Sequence, residues 1–447
     1  MASAAEKLAA NVNFGAFGKA TELKKRLWFT LGALIVYRLG TYIPLPGIDP
    51  GVLSDIFEQQ RGGLLDMFDM FAGGALERMT IFALNIMPYI SAAIIMQLLT
   101  AMSPNLNKLK KEGAQGRKKI NQYTRYGTVV IAALQAYGIS VGLEGVTSQA
   151  GSAVLDPGLT FRITTVISLV GGTVFLMWLG EQITERGVGN GISLIIFAGI
   201  VANLPGALGG TLELGRTGAL SAGLIILLFI MAVAVIYFIV FVERAQRRII
   251  VQYPKRQKGN KMFGGESSHL PLKVNVSGVI PLIFASSLLL APITIISFSA
   301  QQGPEWLSTV GAYLGRGQPV YLLVYVTLIV FFAFFYMSVV FNPEETADNL
   351  KKYGGFVPGI RPGKNTAEYL DYVLTRLTVV GAVYLAAIAI LPEMLISRFS
   401  VPFFFGGTSL LIVVSVTMDT VAQVQSHLIA HQYEGLIKKS RLRGRNG

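Results

Sequence analysis

Ten long runs of apolar residues alternate with polar segments along the whole chain. Each run reaches or approaches the ~20 residues that an α-helix needs to cross the hydrocarbon core of a bilayer. The pattern therefore predicts an all-α, polytopic membrane protein of ten transmembrane helices. The predicted spans are residues 27–43, 79–101, 123–143, 161–180, 189–205, 219–242, 274–298, 319–341, 372–391 and 406–428.

Basic residues are distributed unevenly between the two sets of loops. If the N-terminus is cytoplasmic, the segments on that side carry 29 of the 38 Lys and Arg residues, and the outer loops carry 5. Loops rich in Lys and Arg stay on the cytoplasmic side of a membrane. The charge pattern therefore predicts that both termini are cytoplasmic.

The composition agrees with a membrane protein, since 52% of the residues are hydrophobic and only 14% are charged. The net charge of +13 is first of all a topology signal. Basic loops also suit anionic membrane lipid, ribosomal RNA or an acidic partner, and composition does not distinguish these. The chain has no Cys, which excludes disulfides, thiolate metal sites and cysteine nucleophiles.

The ten predicted spans divide into an N-terminal half, residues 1–206, and a C-terminal half, residues 219–447. A glycine-rich outer loop, residues 207–218, is expected to join them as a hinge. Because each half has an odd number of helices, the two halves are predicted to be inverted relative to each other. Inverted repeats are common in transport proteins, where the pathway lies between the halves.

One outer segment, residues 62–74, is apolar but too short to span a membrane. Gly pairs at both of its ends are expected to free it from its neighbours. Its apolar residues cluster as on one face of a short helix: Leu64, Leu65, Met67, Phe68 and Phe71. Such a piece either dips into a cavity and blocks it or lies as an interfacial helix on the outer leaflet.

The cytoplasmic loop 342–363 carries strong local signals. Asn342 and Pro343 predict the start of a helix, and Gly354 and Gly355 predict its end. A turn rich in Pro and Gly then holds Arg361. The loop is therefore interpreted as a surface that presents a side chain to a partner, with a plain connector as the alternative.

The longest cytoplasmic loop, residues 243–273, contains eight basic residues. Its apolar run 249–253, the turn at Gly259 and Asn260, and the pair at 262–263 predict a short two-stranded ribbon that projects from the membrane. It is either a docking platform or a charge cluster that only fixes topology.

Several kinds of chemistry are missing from the sequence. A Walker-type nucleotide loop is absent, so the energy for any transport must come from elsewhere. Asp419 is the only acid inside a predicted span, whereas ion-coupled carriers usually show several, which argues against a secondary transporter as the alternative function. The alternative to an ion-coupling role for Asp419 is a structural pairing with an interior Arg such as Arg376 or Arg38. This chain has no mid-membrane His to pair with a Ser and no paired intramembrane aspartates, which argues against an intramembrane hydrolase, and the sequence predicts no catalytic residue, metal or cofactor.

Two Ile pairs at i,i+4 spacing, in the second and fifth spans, each face one direction. Pro88 and Pro281 are expected to bend the second and seventh spans and let them part. Polar residues near these positions offer weak, breakable hydrogen bonds between helices, which suits a seam that opens. They are Asn85, Ser91, Gln97, Gln135, Ser286 and Ser287.

Six long motifs in the same order identify a resemblance to the bacterial SecY family, the central subunit of the Sec protein-conducting channel. They are YIPLPGID at 42–49, IMPYIS at 86–91, GEQITERGVGNGIS at 180–193, HLPLKVN at 269–275, FVPGIRPG at 356–363 and FGGTSLLI at 405–412. The resemblance runs nearly from end to end. It implies a multi-pass protein of the bacterial inner membrane that passes unfolded secretory polypeptides across the bilayer and membrane proteins sideways into lipid.

The resemblance also implies a role for particular residues. An apolar pore ring would comprise Ile86, Ile90, Ile192, Ile196, Ile283 and Ile412. A plug would comprise Leu64, Leu65, Asp66, Met67, Phe68, Asp69, Met70 and Phe71. A lateral gate between spans two and three on one side and seven and eight on the other would use Ser91, Gln97, Gln135, Ser286 and Ser287. Docking of a motor or ribosome would use Arg247, Arg248, Lys255, Arg256 and Arg361.

The partners implied by the resemblance are the small subunits SecE and SecG, the SecA ATPase, and the ribosome with its RNA. Signal sequences and nascent polypeptides would be the substrates, and no cofactor is expected. A ring of branched apolar side chains suits this task, because a narrow apolar neck dewets and excludes hydrated ions while adapting to a passing peptide.

Overall fold

The computed structural model describes residues 20–49, 51–53, 69, 72–145, 147–148, 151–218, 221–253, 256–258, 261–263, 267–299, 309, 313, 318–399 and 407–443. The helices are α1 (Thr21–Gly40), α2 (Met87–Met102), α3 (Pro104–Lys111), α4 (Ala114–Glu144), α5 (Leu159–Arg186), α6 (Gly191–Arg216), α7 (Ala222–Arg244), α8 (Ile280–Ser299), α9 (Pro319–Val340), α10 (Pro343–Lys352), α11 (Lys364–Phe399) and α12 (Gly407–Arg443). The strands are β1 (Thr147–Ser148), β2 (Gly151–Ser152), β3 (Gln246–Gln252), β4 (Arg256–Lys258), β5 (Lys261–Phe263) and β6 (Ser267–Lys273).

A helix lies at each of the ten predicted spans, which confirms the predicted fold class. Within the described residues, seven helices are long and apolar enough to cross a membrane, and the pair α2 and α3, bent by 99°, gives an eighth. Helix α8 counts as a shorter apolar helix over Ile280–Leu289. Basic residues at positions 24–26 make the start of α1 too polar for the same criterion.

The second span begins later than predicted. Helix α2 starts at Met87 rather than at residue 79, and the preceding residues form turns in which Met79 and Asn85 have φ of 43° and 49°. Pro88 therefore lies in the first turn of α2, and Pro281 is the second residue of α8. Because proline is tolerated where the backbone N–H has no intrahelical partner, these prolines begin helices, and the prediction that they bend them is wrong.

The outer segment that was predicted to be a flexible loop is largely helical. Helix α6 continues through Pro205 to Arg216. The Thr211 hydroxyl donates to the Ala207 carbonyl at 2.8 Å, and Arg216 pairs with Glu213 at 2.6 Å near the end of the helix. These local bonds support a helix despite the glycines, so the hinge interpretation is wrong up to Arg216. The division into two halves stays a prediction.

The corner between α5 and α6 is a close contact of backbone. A Cβ on Gly191 would lie 1.9 Å from the Gly180 carbonyl oxygen, so only glycine fits there. The Val188 and Gly189 amides donate to Thr30 Oγ1 and Gln423 Oε1, at 3.0 and 2.9 Å. Small residues at such contacts are typical of helix packing in membranes. The corner thereby ties α5 and α6 to α1 and α12.

Candidate pore, seam and cytoplasmic surface

The six predicted ring residues all belong to, or pack against, the large apolar core that runs through most of the helices. Ile86, Ile90, Ile196 and Ile412 are buried members of this core. Ile192 and Ile283 are partly buried and pack against it. The structure therefore places all six residues, at the start of α2 and on α6, α8 and α12, in or against this core, and the ring itself stays a prediction.

Local structure fixes the two Ile pairs. Ile86 is the N-cap of α2, and its carbonyl accepts a hydrogen bond from the Ile90 amide at 3.1 Å. Asn190 caps α6, its side-chain oxygen accepting from the Ile192 and Ser193 amides at 3.1 and 3.4 Å. Each pair therefore spans the first turn of a helix, and the helix starts set the depth of these side chains.

Most of the predicted plug lies outside the described residues: Leu64, Leu65, Asp66, Met67, Phe68, Met70 and Phe71. Asp69 is described and is buried. Its Oδ1 atom accepts hydrogen bonds from the Leu76 and Glu77 amides at 2.8 and 2.9 Å. Asp69 therefore organises the turn that follows it, a role that the sequence did not reveal.

The Gly pair at the downstream end does not free the segment as predicted. Gly73 has φ of +70°, and a Cβ on it would lie 3.0 Å from Gly199 Cα on α6. Its carbonyl accepts a hydrogen bond from Arg38 Nη1 at 2.7 Å. The glycine is needed for a left-handed conformation and a close approach, so this end of the segment is anchored.

The predicted lateral gate is closed, since α8 packs against both α2 and α4. Ser287 Oγ donates a hydrogen bond across the seam to Met87 Sδ at 3.4 Å. At the α3 end, Lys110 Nζ donates to the Val339 carbonyl of α9, also at 3.4 Å. Ser286 instead donates to the Ile283 carbonyl of its own helix at 3.0 Å. A thioether is a weak acceptor, so the bond between Ser287 and Met87 adds little attraction.

The glutamines at the seam do not form the predicted bonds through their carbonyl groups. The Oε1 atoms of Gln97 and Gln135 are buried and have no hydrogen-bond partner among the described residues. Gln135 as a whole is 7% exposed. Ser91 lies half-buried on α2. A buried carbonyl without a partner costs free energy, which makes the closed seam less stable than an apolar one.

The basic loop, which is predicted to be cytoplasmic, forms the predicted ribbon with a different register. Strand β3 pairs with β6, from Gln246 opposite Lys273 to Gln252 opposite Ser267, and β4 pairs with β5 at the tip. The sequence signal at 262–263 marks only the tip, because the main partner strand lies after it. Arg247 and Arg248 are exposed on β3, Arg256 lies in β4, and Lys255 lies outside the described residues.

The two large loops that are predicted to be cytoplasmic form one surface. Gln252 and Phe356 exchange backbone hydrogen bonds of 2.9 and 3.0 Å. Beneath them, one apolar cluster includes Ile249 of the ribbon and Val357 of the second loop. A single platform therefore carries the arginines of β3 and the turn with Arg361.

The predicted helix in the second loop is confirmed as α10. Asn342 Oδ1 accepts from the Glu344 and Glu345 amides at 3.1 and 3.3 Å. Arg361 follows in an exposed turn, where its carbonyl accepts from Thr366 Oγ1 at 2.9 Å. The guanidinium of Arg361 is therefore exposed, while its backbone is held in place by the hydrogen bond from Thr366.

An acidic residue that the sequence reasoning missed is Glu243, in the last turn of α7. It is buried and accepts a hydrogen bond from Asn275 Nδ2 at 2.8 Å. Asp419, by contrast, is exposed, and the pairing predicted for it is wrong. Arg38 bonds to Gly73, and Arg376 lies over the Tyr372 ring at 4.2 Å. The predicted span ended one residue before Glu243, which is why it was counted with the loop.

Comparison with known proteins points to one family. A family model described as SecY matches residues 80–421. The protein translocase subunit SecY of Escherichia coli K12 is 58% identical over 428 residues, covering 96% of this chain and 96% of its own. The protein translocase subunit SecY of Vibrio cholerae is 56% identical over 428 residues, covering 95% of this chain and 96% of its own.

Solved structures share the fold at low sequence identity. A protein-conducting channel matches with a TM-score of 0.65 and 19% identity, covering 91% of this chain and 92% of that one. A SecY channel studied for its plug domain, which stabilises the closed state and maintains a membrane seal, matches with a TM-score of 0.61 and 19% identity, covering 91% of this chain and 92% of that one. Sec61 in the canine ribosome–channel complex matches with a TM-score of 0.62 and 18% identity, covering 91% of this chain and 92% of that one.

Proposed function

The chain belongs to the SecY family, and from that premise we propose how its residues let polypeptides pass while the membrane stays sealed. It is the pore-forming subunit of a protein translocase. Unfolded secretory polypeptides cross the bilayer through the space between the helices that carry the isoleucine cluster, and membrane proteins leave sideways between α2 and α4 on one side and α8 and α9 on the other. The family match gives no support to the alternative of a small-solute transporter.

The observation that supports this proposal is that all six isoleucines belong to, or pack against, one apolar core. Branched apolar side chains leave no polar group to hold water in a narrow neck, so hydrated ions are excluded. The same side chains change rotamer at little cost as a polypeptide passes. The ring Ile86, Ile90, Ile192, Ile196, Ile283 and Ile412 is thus the proposed seal, with the plug at 64–71 closing it from outside.

The proposed partners follow from the family and from the surfaces described above. The cytoplasmic platform presents Arg247, Arg248 and Arg361 to the SecA ATPase or to the ribosome and its RNA. SecE and SecG are the proposed small subunits, and the apolar outer faces of the spans contact membrane lipid. We place the protein in the bacterial inner membrane with both termini cytoplasmic, and we assign it no catalytic step, because the motor or ribosome supplies the energy.

The test is ion conductance of the purified translocase complex in a planar bilayer. Replacing Ile86, Ile90 and Ile196 together with Ser makes the neck wettable, so resting conductance should rise well above that of the parent. The matched control replaces Ile226 and Ile230, exposed on α7, with Ser. If the ring variant stays as ion-tight as the parent, or if the control leaks equally, these residues do not form the seal.

A further inference from the structure

The segment between Asp69 and α2, which we call the stem (residues 72–86), runs to the ring residue Ile86 in turns rather than as a helix. Two side chains from the outer end of α1 bind its backbone. Tyr37 OH donates to the Ala72 carbonyl at 3.3 Å, and Arg38 Nη1 donates to the Gly73 carbonyl at 2.7 Å. Both bonds reach across 35 residues of sequence and join α1 directly to the stem.

Tyr37 is held in a fixed orientation. Its side chain is buried and stacks on Phe82 of the stem, with ring centroids 6.3 Å apart and an interplanar angle of 12°. Phe82 in turn stacks on Phe175 of α5, at 5.9 Å and 6°. Because a buried ring has little rotational freedom, its hydroxyl points to the Ala72 carbonyl without further ordering.

Arg38 is directed by a second bond. Its Nη2 atom donates to Tyr42 OH at 2.9 Å while Nη1 binds Gly73. The guanidinium of Arg78, within the stem, lies over the ring of the same Tyr42, with its carbon 4.4 Å from the ring centroid. A guanidinium with two fixed acceptors forms short, charge-assisted hydrogen bonds, which are stronger than neutral ones.

The stem needs such an anchor because its backbone is strained. Met79 and Asn85 have φ of 43° and 49°, a left-handed conformation that costs energy for a residue with a Cβ. Two more backbone bonds tie its middle to the segment after α1: the Leu45 amide donates to Met79 at 3.0 Å, and the Ile81 amide donates to Ile43 at 3.1 Å. A strained segment keeps its shape only while its surroundings hold it.

We infer that Tyr37 and Arg38 are positioning residues of the pore seal: by holding the stem, they hold Ile86 in the ring and keep the resting channel ion-tight. The inference rests on the proposed function, since it needs a seal to position. Without the Arg38 bond, the strained turns relax, the start of α2 shifts and Ile86 leaves the ring. This assigns a gating role to two residues that belong neither to the predicted ring nor to the predicted seam.

The test measures resting conductance and melting temperature of the purified complex for four variants. Arg38→Met keeps the length of the side chain and removes both bonds, Arg38→Lys retains a cationic donor, and Tyr37→Phe removes only the hydroxyl. The control is Arg162→Met, because Arg162 is an arginine with a comparable bond, to Glu144 at 2.5 Å, at the outer end of α5 rather than on the stem.

Loss of the charge-assisted hydrogen bond to Gly73, together with the bond to Tyr42, should raise the population of the leaking state, and hence the conductance, at least about tenfold in Arg38→Met. Arg38→Lys should restore most of the seal, Tyr37→Phe should leak less than Arg38→Met, and Arg162→Met should lower the melting temperature without leaking. An ion-tight Arg38→Met complex, or equal leakage from Arg162→Met, overturns the inference. The serine ring variant separates the proposed seal from the proposed anchor. If the ring variant leaks and the Arg38→Met complex stays ion-tight, the isoleucine seal is supported and only the anchoring role of Arg38 is rejected.

Discussion

Arg162 donates two hydrogen bonds to Glu144 Oε2, from Nε at 3.0 Å and from Nη2 at 2.5 Å. The pair joins the C-terminal end of α4 to the N-terminal end of α5. Arg125 and Glu181 join the same two helices nearer their opposite ends, with bonds of 2.9 and 2.6 Å. Since α4 also borders the predicted seam with α8, we expect the two ion pairs to make α4 and α5 move as one unit if the seam opens.

Glu144→Gln should lower the melting temperature of the purified complex by a few degrees, because it replaces a charge-assisted pair by a neutral contact. The matched control is Glu213→Gln, whose partner Arg216 is 80% exposed and whose ion pair is screened by water. The control should melt like the parent. Equal melting temperatures for the two variants would show that the α4–α5 ion pair does not clamp these helices.

Gln135→Leu should stabilise the closed seam. The buried Oε1 atom has no partner among the described residues, so removing it relieves a desolvation cost of roughly 1 kcal/mol. The melting temperature should rise, and the release of membrane proteins into lipid should slow. Gln122→Leu is the control on the same helix, since Gln122 is exposed and donates to Tyr126 OH at 2.8 Å. A lower melting temperature for Gln135→Leu than for the parent would contradict the prediction.

Arg361→Glu should reduce motor-stimulated transport by about tenfold or more, because a reversed charge repels the acidic surface that an arginine attracts. Folding should be unchanged, since the side chain is exposed and the turn is held through its backbone. Lys351→Glu, an exposed reversal on α10 in the same loop, is the control and should retain most transport. Transport at parental rate in Arg361→Glu would remove the docking role.

The predicted orientation can be tested with single cysteines, because the native chain has none. Ile250→Cys, 48% exposed on β3, should resist an impermeant maleimide added to intact cells. Leu155→Cys, 66% exposed in the outer segment between α4 and α5, should be labelled. Labelling of the ribbon from outside would reverse the assigned topology.

Hydropathy was enough to locate the ten helices, because a segment that crosses lipid must satisfy its own backbone hydrogen bonds and be apolar over its length. The orientation that the charge pattern predicts stays a prediction. Capping signals also predicted helix ends correctly where a nearby side chain bonds to the free backbone amides of the helix, as Asn342 does at the start of α10. These features depend on neighbours in sequence, which a sequence displays directly.

Contacts between distant residues could not be read in the same way. The start of α2 was missed because Met79 and Asn85 adopt left-handed conformations that only tertiary bonds stabilise. The anchored role of Gly73 depends on Arg38 and Gly199, and the register of the ribbon depends on β6, which follows the apparent turn signal. Glu243 was missed because its partner Asn275 lies 32 residues further along.

The most direct test of the pore is disulfide crosslinking of a stalled secretory polypeptide that carries one cysteine. Single cysteines replace Ile90, Ile196 or Ile412 in the cluster, and Leu227, 63% exposed on α7, serves as the control. The proposed pathway predicts crosslinks from all three cluster positions and none from Leu227. Absence of crosslinks at the cluster, or equal yield at Leu227, would show that the polypeptide does not pass through this ring.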